Sequence, residues 1–175
     1  MDWRLFTLPN LLSASRFPLA AGFALADGMP LRVALLGVAS ATDLLDGWLA
    51  RRMGNASRWG ALLDPVADKT FVLVALTALL VHGQLPARDY AVLLTRDLAT
   101  ALGALVAWLM PGLDPRNFTA RPSGKVVTVL QLLALLVLCA APRFASHAVL
   151  VVGLASIVSI ADYTLALARA LPRAR

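Results

Sequence analysis

The sequence predicts an all-α integral membrane protein of six transmembrane helices. Three observations carry that reading: 59% of the 175 residues are hydrophobic, only 15% are charged, and the mean hydropathy of +0.76 exceeds what a soluble domain tolerates. A helical span needs roughly 20 apolar residues, so the length holds six spans with short loops and no separate soluble domain. One membrane-embedded domain over residues 1–175 is therefore expected. Runs such as Phe71 to Leu80 and Leu130 to Ala141 are continuously apolar, unlike the short alternating strands of a barrel.

Breaks at Gly, Pro and charge clusters place the spans at about 10–26, 31–53, 60–82, 88–110, 122–141 and 147–170. Before the first, Asp2 to Leu8 mixes Trp3, Leu5 and Phe6 with Arg4, a short N-terminal interfacial segment ahead of Pro9. Ala24, Leu25 and Ala26 resemble a signal-cleavage site, but Arg16 interrupts the apolar core a signal would need, so the span is expected to be retained.

Fourteen Arg and two Lys face ten acids, all Asp. In a soluble protein that excess would suggest nucleic acid; in a membrane protein it is first a topology signal, and no nucleic-acid partner is expected. Arg4, Arg51, Arg52, Arg58, Arg116, Arg121, Lys125, Arg169, Arg173 and Arg175 fall on one side, against Arg32, Arg88 and Arg143 on the other. Both termini are thereby assigned to the cytoplasm. The sole cysteine, Cys139, lies in an apolar run, which excludes a disulfide framework or a metal-thiolate site.

The chemistry is concentrated where span two runs into span three. Asp43, Asp46, Gly47 and Ala50 are spaced i, i+3, i+4, i+7 and share one helix face; Gly60, Asp64 and Asp68 share another. The short loop from Met53 to Trp59 makes the two helices antiparallel neighbours whose carboxylate faces can meet. Four close carboxylates in a membrane repel one another and cost several kcal/mol in desolvation unless cations neutralise them.

Two divalent ions would cancel that charge. Oxygen-only ligands select a hard ion such as Mg²⁺, Mn²⁺ or Ca²⁺, and a pair of such ions is a clamp for in-line phosphoryl displacement. Gly47, Ala50 and Gly60 let a bulky group approach the backbone, and Arg51 can pair with phosphate oxygens. Gly37, Gly103 and Gly153 read as helix-packing positions. Intramembrane acids also line ion or proton pathways, so spacing alone leaves a cation or proton transporter as an alternative.

The stretch DLLDGWLARRMGNASRWGALLDPVAD reads DxxDGxxAR, eight residues, then GxxxDxxxD, with every fixed position filled from Asp43 to Asp68. It resembles the signature of the CDP-alcohol phosphatidyltransferase family. LPNLLSASR at the start is similar to the PNLLTxxR that often opens the family's first transmembrane helix. The resemblance implies transfer of a phosphatidyl group from CDP-diacylglycerol to an alcohol with release of CMP, in a cleft open to the cytoplasm and inner leaflet.

It further implies that Asp43, Asp46, Asp64 and Asp68 hold two Mg²⁺ or Mn²⁺ ions, with Asp68 also the general base. Asn10, Ser13, Gly47, Ala50, Arg51 and Gly60 would contact the nucleotide and its pyrophosphate. Membrane lipids as surroundings and a homodimer as assembly come with the same resemblance.

Motifs for the acceptor point two ways. DPVADK resembles the phosphatidylglycerophosphate synthase and eukaryotic-type cardiolipin synthase branches, and Arg96-Asp97 is closer to the cardiolipin branch. SGKVVTVLQ is similar to the GKxKT of the glycerophosphate branch, with Val127 in place of the second lysine. Glycerol 3-phosphate is the leading acceptor and phosphatidylglycerol the second. A phosphomonoester needs a basic pocket, for which Arg96, Arg121 and Lys125 are the candidates. Asp97 is expected to pair with a neighbouring base, Asp162 has no evident partner, and His82 and His147 are expected at the surface.

Overall fold

The computed structural model describes residues 8–53, 58–109 and 122–170. Six α-helices lie among them: α1 (Leu8–Leu25), α2 (Met29–Met53), α3 (Arg58–Val81), α4 (Ala87–Leu109), α5 (Pro122–Ala140) and α6 (Ala145–Ala170), with one 3₁₀ turn at Pro142–Phe144. Each helix end falls within two residues of the expected span. The interfacial segment expected before Pro9 lies almost wholly outside the described residues.

Stops are set by local chemistry. Gly83 takes a positive φ of 69°, and the amides of Gln84 and Leu85 return to the Leu79 carbonyl at 2.8 and 3.1 Å. A left-handed glycine of this kind caps a helix, and Pro86 follows before α4 begins. His82 is exposed, as expected, with its Nδ1 2.7 Å from the Ala78 carbonyl oxygen.

Two segments, Pro122–Ala140 and Pro142–Ala166, are long and apolar enough to cross a membrane among the described residues. The other helices carry polar or ionisable residues along their length: Asn10 and Arg16 in α1, Arg32 and Asp43 in α2, Asp64, Asp68 and Lys69 in α3, Arg88, Asp89, Arg96 and Asp97 in α4. Leu25, Leu44, Val81, Ile157 and Val158 are each more than 60% exposed. Such outward apolar side chains suit contact with lipid and indicate membrane association.

The chain forms two compact units. The first holds α1, α2, α3 and the end of α5 from Leu135. Its interior is built from Ala20, Phe23, Ala67, Phe71, Ala75, Leu76 and Leu79, all buried, with Phe23 and Phe71 packed edge to face at 6.1 Å. Small residues on α1 and α3 admit close approach, and α1 packs against both α2 and α3. The short loop suggests that the carboxylate faces of α2 and α3 meet, and Asp43 of α2 and Asp64 of α3 do come together on one side chain of α1, Arg16. Arg32, counted as a loop charge in the topology, is buried, donates to Gln84 and lies over the Phe23 ring at 5.7 Å.

The second unit holds α4, α5 up to Ala134, and α6. A Cβ at Gly153 would sit 3.0 Å from Val92 Cγ1, so this glycine does serve helix packing. At Gly37 and Gly103 a Cβ meets nothing within 4 Å. Their packing role is not seen among the described residues.

Candidate active site

The site is assembled in the first unit from three helices. Ser13 and Arg16 stand three residues apart on α1 and so share a face. Arg16 is 2% exposed. Its Nη2 lies 2.7 Å from Asp43 Oδ1 on α2, and its Nη1 lies 3.0 Å from Asp64 Oδ1 on α3. The Ser13 hydroxyl donates to the same Asp64 oxygen at 3.4 Å. A permanently charged guanidinium is costly to bury, and two carboxylates on its fork offset that cost.

The carboxylates themselves are open, Asp43 at 40% and Asp64 at 48%. Arg16 and Ser13 reach them through Oδ1. Asp68, one turn beyond Asp64, is half-buried and interacts electrostatically with Lys69 first, then with Asp43, Arg16 and Asp64. Between Asp64 and Asp68 stands Pro65, which removes one helical donor next to the site.

Three of the four expected carboxylates are therefore brought to one region. Asp46, Gly47, Ala50, Arg51 and Gly60 lie on α2 and α3 at the expected register, with side chains outside the described residues. Among the described residues no set of three acids converges closely enough to hold an ion, and Arg16 stands between two of them. The donor chemistry nonetheless suits hard divalent ions: the groups are all oxygens, two are already gathered on one cation, and their side chains are 40% and 48% exposed. Asn10 and Ser13 are buried at 5% and 3%, and Ser13 supports a carboxylate.

Arg16 is the residue that sequence reasoning missed. It was the last letter of LPNLLSASR and read only as an interruption of an apolar stretch. A buried arginine in a span demands an anionic partner, and that demand was the available signal.

The acceptor candidates are described in the second unit. Arg96 is 7% exposed; its Nη1 donates to Asp97 at 3.0 Å, and its guanidinium lies over the Tyr163 ring at 5.9 Å. Asp97 thus pairs with its neighbour as expected and also accepts from Gln131 Nε2 at 2.8 Å. Lys125 is exposed on the first turn of α5, and Arg121 lies outside the described residues. Asp162, which lacked an evident partner in the sequence, accepts from Ser123 at 2.7 Å. A Cβ at Gly124 would collide with Arg96 Nη2 and stand 2.9 Å from the Tyr163 hydroxyl, so a larger residue there displaces these side-chain ends. A cavity of about 420 Å³ between α4 and α6 contains none of the expected site residues.

Residues 6–165 match the family profile described as CDP-alcohol phosphatidyltransferase. A protein of Pectobacterium atrosepticum named CDP-diacylglycerol--glycerol-3-phosphate 3-phosphatidyltransferase is 36% identical over 146 residues, 79% of each chain. Its namesake in Escherichia coli K12 is 36% identical over 142 residues, 74% of this chain and 75% of the relative. The match takes in α1, with its Ser13 and Arg16, as well as the carboxylate helices, and the chain belongs to the CDP-alcohol phosphatidyltransferase family.

Proposed function

We propose that this protein transfers the phosphatidyl group of CDP-diacylglycerol to the hydroxyl of glycerol 3-phosphate, giving phosphatidylglycerophosphate and CMP. The observation that carries the proposal is the 36% identity, over about three quarters of the chain, to relatives named for that reaction. The gathering of Asp43 and Asp64 on one guanidinium, with Asp68 beside them, supports the same chemistry.

In this reading Asp43, Asp46, Asp64 and Asp68 hold two divalent ions, Mg²⁺ or Mn²⁺. When bound, such ions withdraw charge from a pyrophosphate and stabilise the departing CMP. Asp68, half-buried beside Asp43, Asp64, Arg16 and Lys69, is the base. It takes the proton from the acceptor hydroxyl, whose oxygen forms a bond to the lipid-side phosphorus as the bond to the CMP oxygen breaks. Asn10, Ser13, Gly47, Ala50, Arg51 and Gly60 line the nucleotide side. Arg96, Arg121 and Lys125 supply positive charge for the acceptor phosphate.

The six helices are read as six spans of one catalytic domain, with both termini cytoplasmic and the protein a homodimer. Offering the purified protein a mixture of glycerol 3-phosphate and phosphatidylglycerol with labelled CDP-diacylglycerol tests the acceptor. Phosphatidylglycerophosphate as the product supports the proposal; a four-chain lipid assigns phosphatidylglycerol instead.

A further inference from the structure

The geometry around Arg16 points to a second use of this buried cation. We propose that Arg16 is a positioning residue, a built-in counter-cation that holds Asp43 and Asp64 together whenever no divalent ion occupies the site. The proposal rests on the metal-binding reading above.

Two features carry it. The guanidinium reaches a carboxylate on each of two different helices from a third helix that packs on both. A planar fork can bridge two carboxylates in this way, whereas a single ammonium cannot hold the same spread. Second, Arg16 lies on the closed side at 2% exposure, while its partners are 40% and 48% exposed, so an incoming ion meets the carboxylates from the open side. Without a cation the acids of α2 and α3 would repel one another. Arg16 removes that repulsion in the metal-free protein, at the expense of metal affinity, because its charge also repels a divalent ion.

That trade distinguishes this role from ordinary structural support. A residue that only fills the fold contributes equally with and without metal; a surrogate cation matters most in its absence. The test uses full-length wild type, R16Q and R16K in lipid nanodiscs, with melting followed in EDTA and in saturating Mn²⁺, and Mn²⁺ binding titrated by electron paramagnetic resonance. In EDTA, R16Q melts several degrees below wild type, and Mn²⁺ closes most of that gap. R16Q also binds Mn²⁺ about tenfold more tightly, as expected for removing a like charge beside a partly exposed site. R16K keeps the charge but not the bridge, so it melts between the two in EDTA and binds Mn²⁺ as wild type does.

A gap of equal size in EDTA and Mn²⁺, or weaker Mn²⁺ binding by R16Q, overturns the proposal and leaves the metal site standing. Absence of Mn²⁺ binding to wild type removes the metal reading and the counter-cation with it. If R16Q yields no folded protein, R16K decides: its deficit in EDTA must shrink in Mn²⁺.

Discussion

Gln131 Nε2 of α5 lies 2.8 Å from Asp97 Oδ2 of α4 and 2.7 Å from the Leu93 carbonyl oxygen. One buried amide thereby clamps α5 to α4 and holds the carboxylate that carries Arg96 on its other oxygen. Replacing Gln131 with Leu removes both bonds and leaves Asp97 with one fewer donor. The expected cost is about 1–2 kcal/mol, read as a lower melting temperature. Mn²⁺ affinity should be unchanged.

Gly124 and Gly103 form a contrasting pair. Alanine at 124 would place its Cβ against Arg96 Nη2, so the guanidinium must shift from its place over the Tyr163 ring. G124A should lower the melting temperature and raise KM for glycerol 3-phosphate, with CDP-diacylglycerol binding retained. At Gly103 the space is open, and G103A should stabilise by about 0.5–1 kcal/mol through helix propensity. Thermal melts and acceptor titrations of the two variants check both signs.

The helices were legible because continuous apolar runs bounded by Gly, Pro and charge have few alternatives in a membrane protein. Asp43, Asp64 and Asp68 were legible because their spacing puts like charges on common faces, a costly pattern that needs a reason. What stayed hidden depended on contacts between distant residues. Arg16 meets Asp64 across 48 positions, and Ser123 meets Asp162 across 39. The periodicity of one helix carries no trace of such partners. The short α2–α3 loop shows that two carboxylate faces can meet, yet says nothing of the α1 side chain that joins them.

Loss of one metal-site carboxylate has two separable consequences. Asp64→Ala should abolish turnover, and it should also destabilise the protein by about 1–3 kcal/mol, because buried Arg16 loses one of its partners. EDTA should abolish turnover of wild type reversibly, with activity restored by Mg²⁺ or Mn²⁺. Wild-type turnover in EDTA, or in Asp64→Ala, contradicts the metal assignment.

Asp68→Asn isolates the proton transfer. The amide keeps the shape of the side chain but cannot take the acceptor proton, so kcat should fall by about 10²–10⁴-fold. Binding of CDP-diacylglycerol should change only a few-fold. Equal losses in kcat and in nucleotide-lipid affinity would make Asp68 a binding ligand rather than the base.

The most direct test of the central claim is CMP release by the wild-type protein in bilayers containing CDP-diacylglycerol and Mg²⁺, measured with and without glycerol 3-phosphate. The account predicts CMP release that depends on glycerol 3-phosphate and matches, mole for mole, phosphatidylglycerophosphate identified by mass. No release of CMP with any alcohol acceptor, alongside cation flux across the bilayer, would contradict it and assign the aspartates to transport.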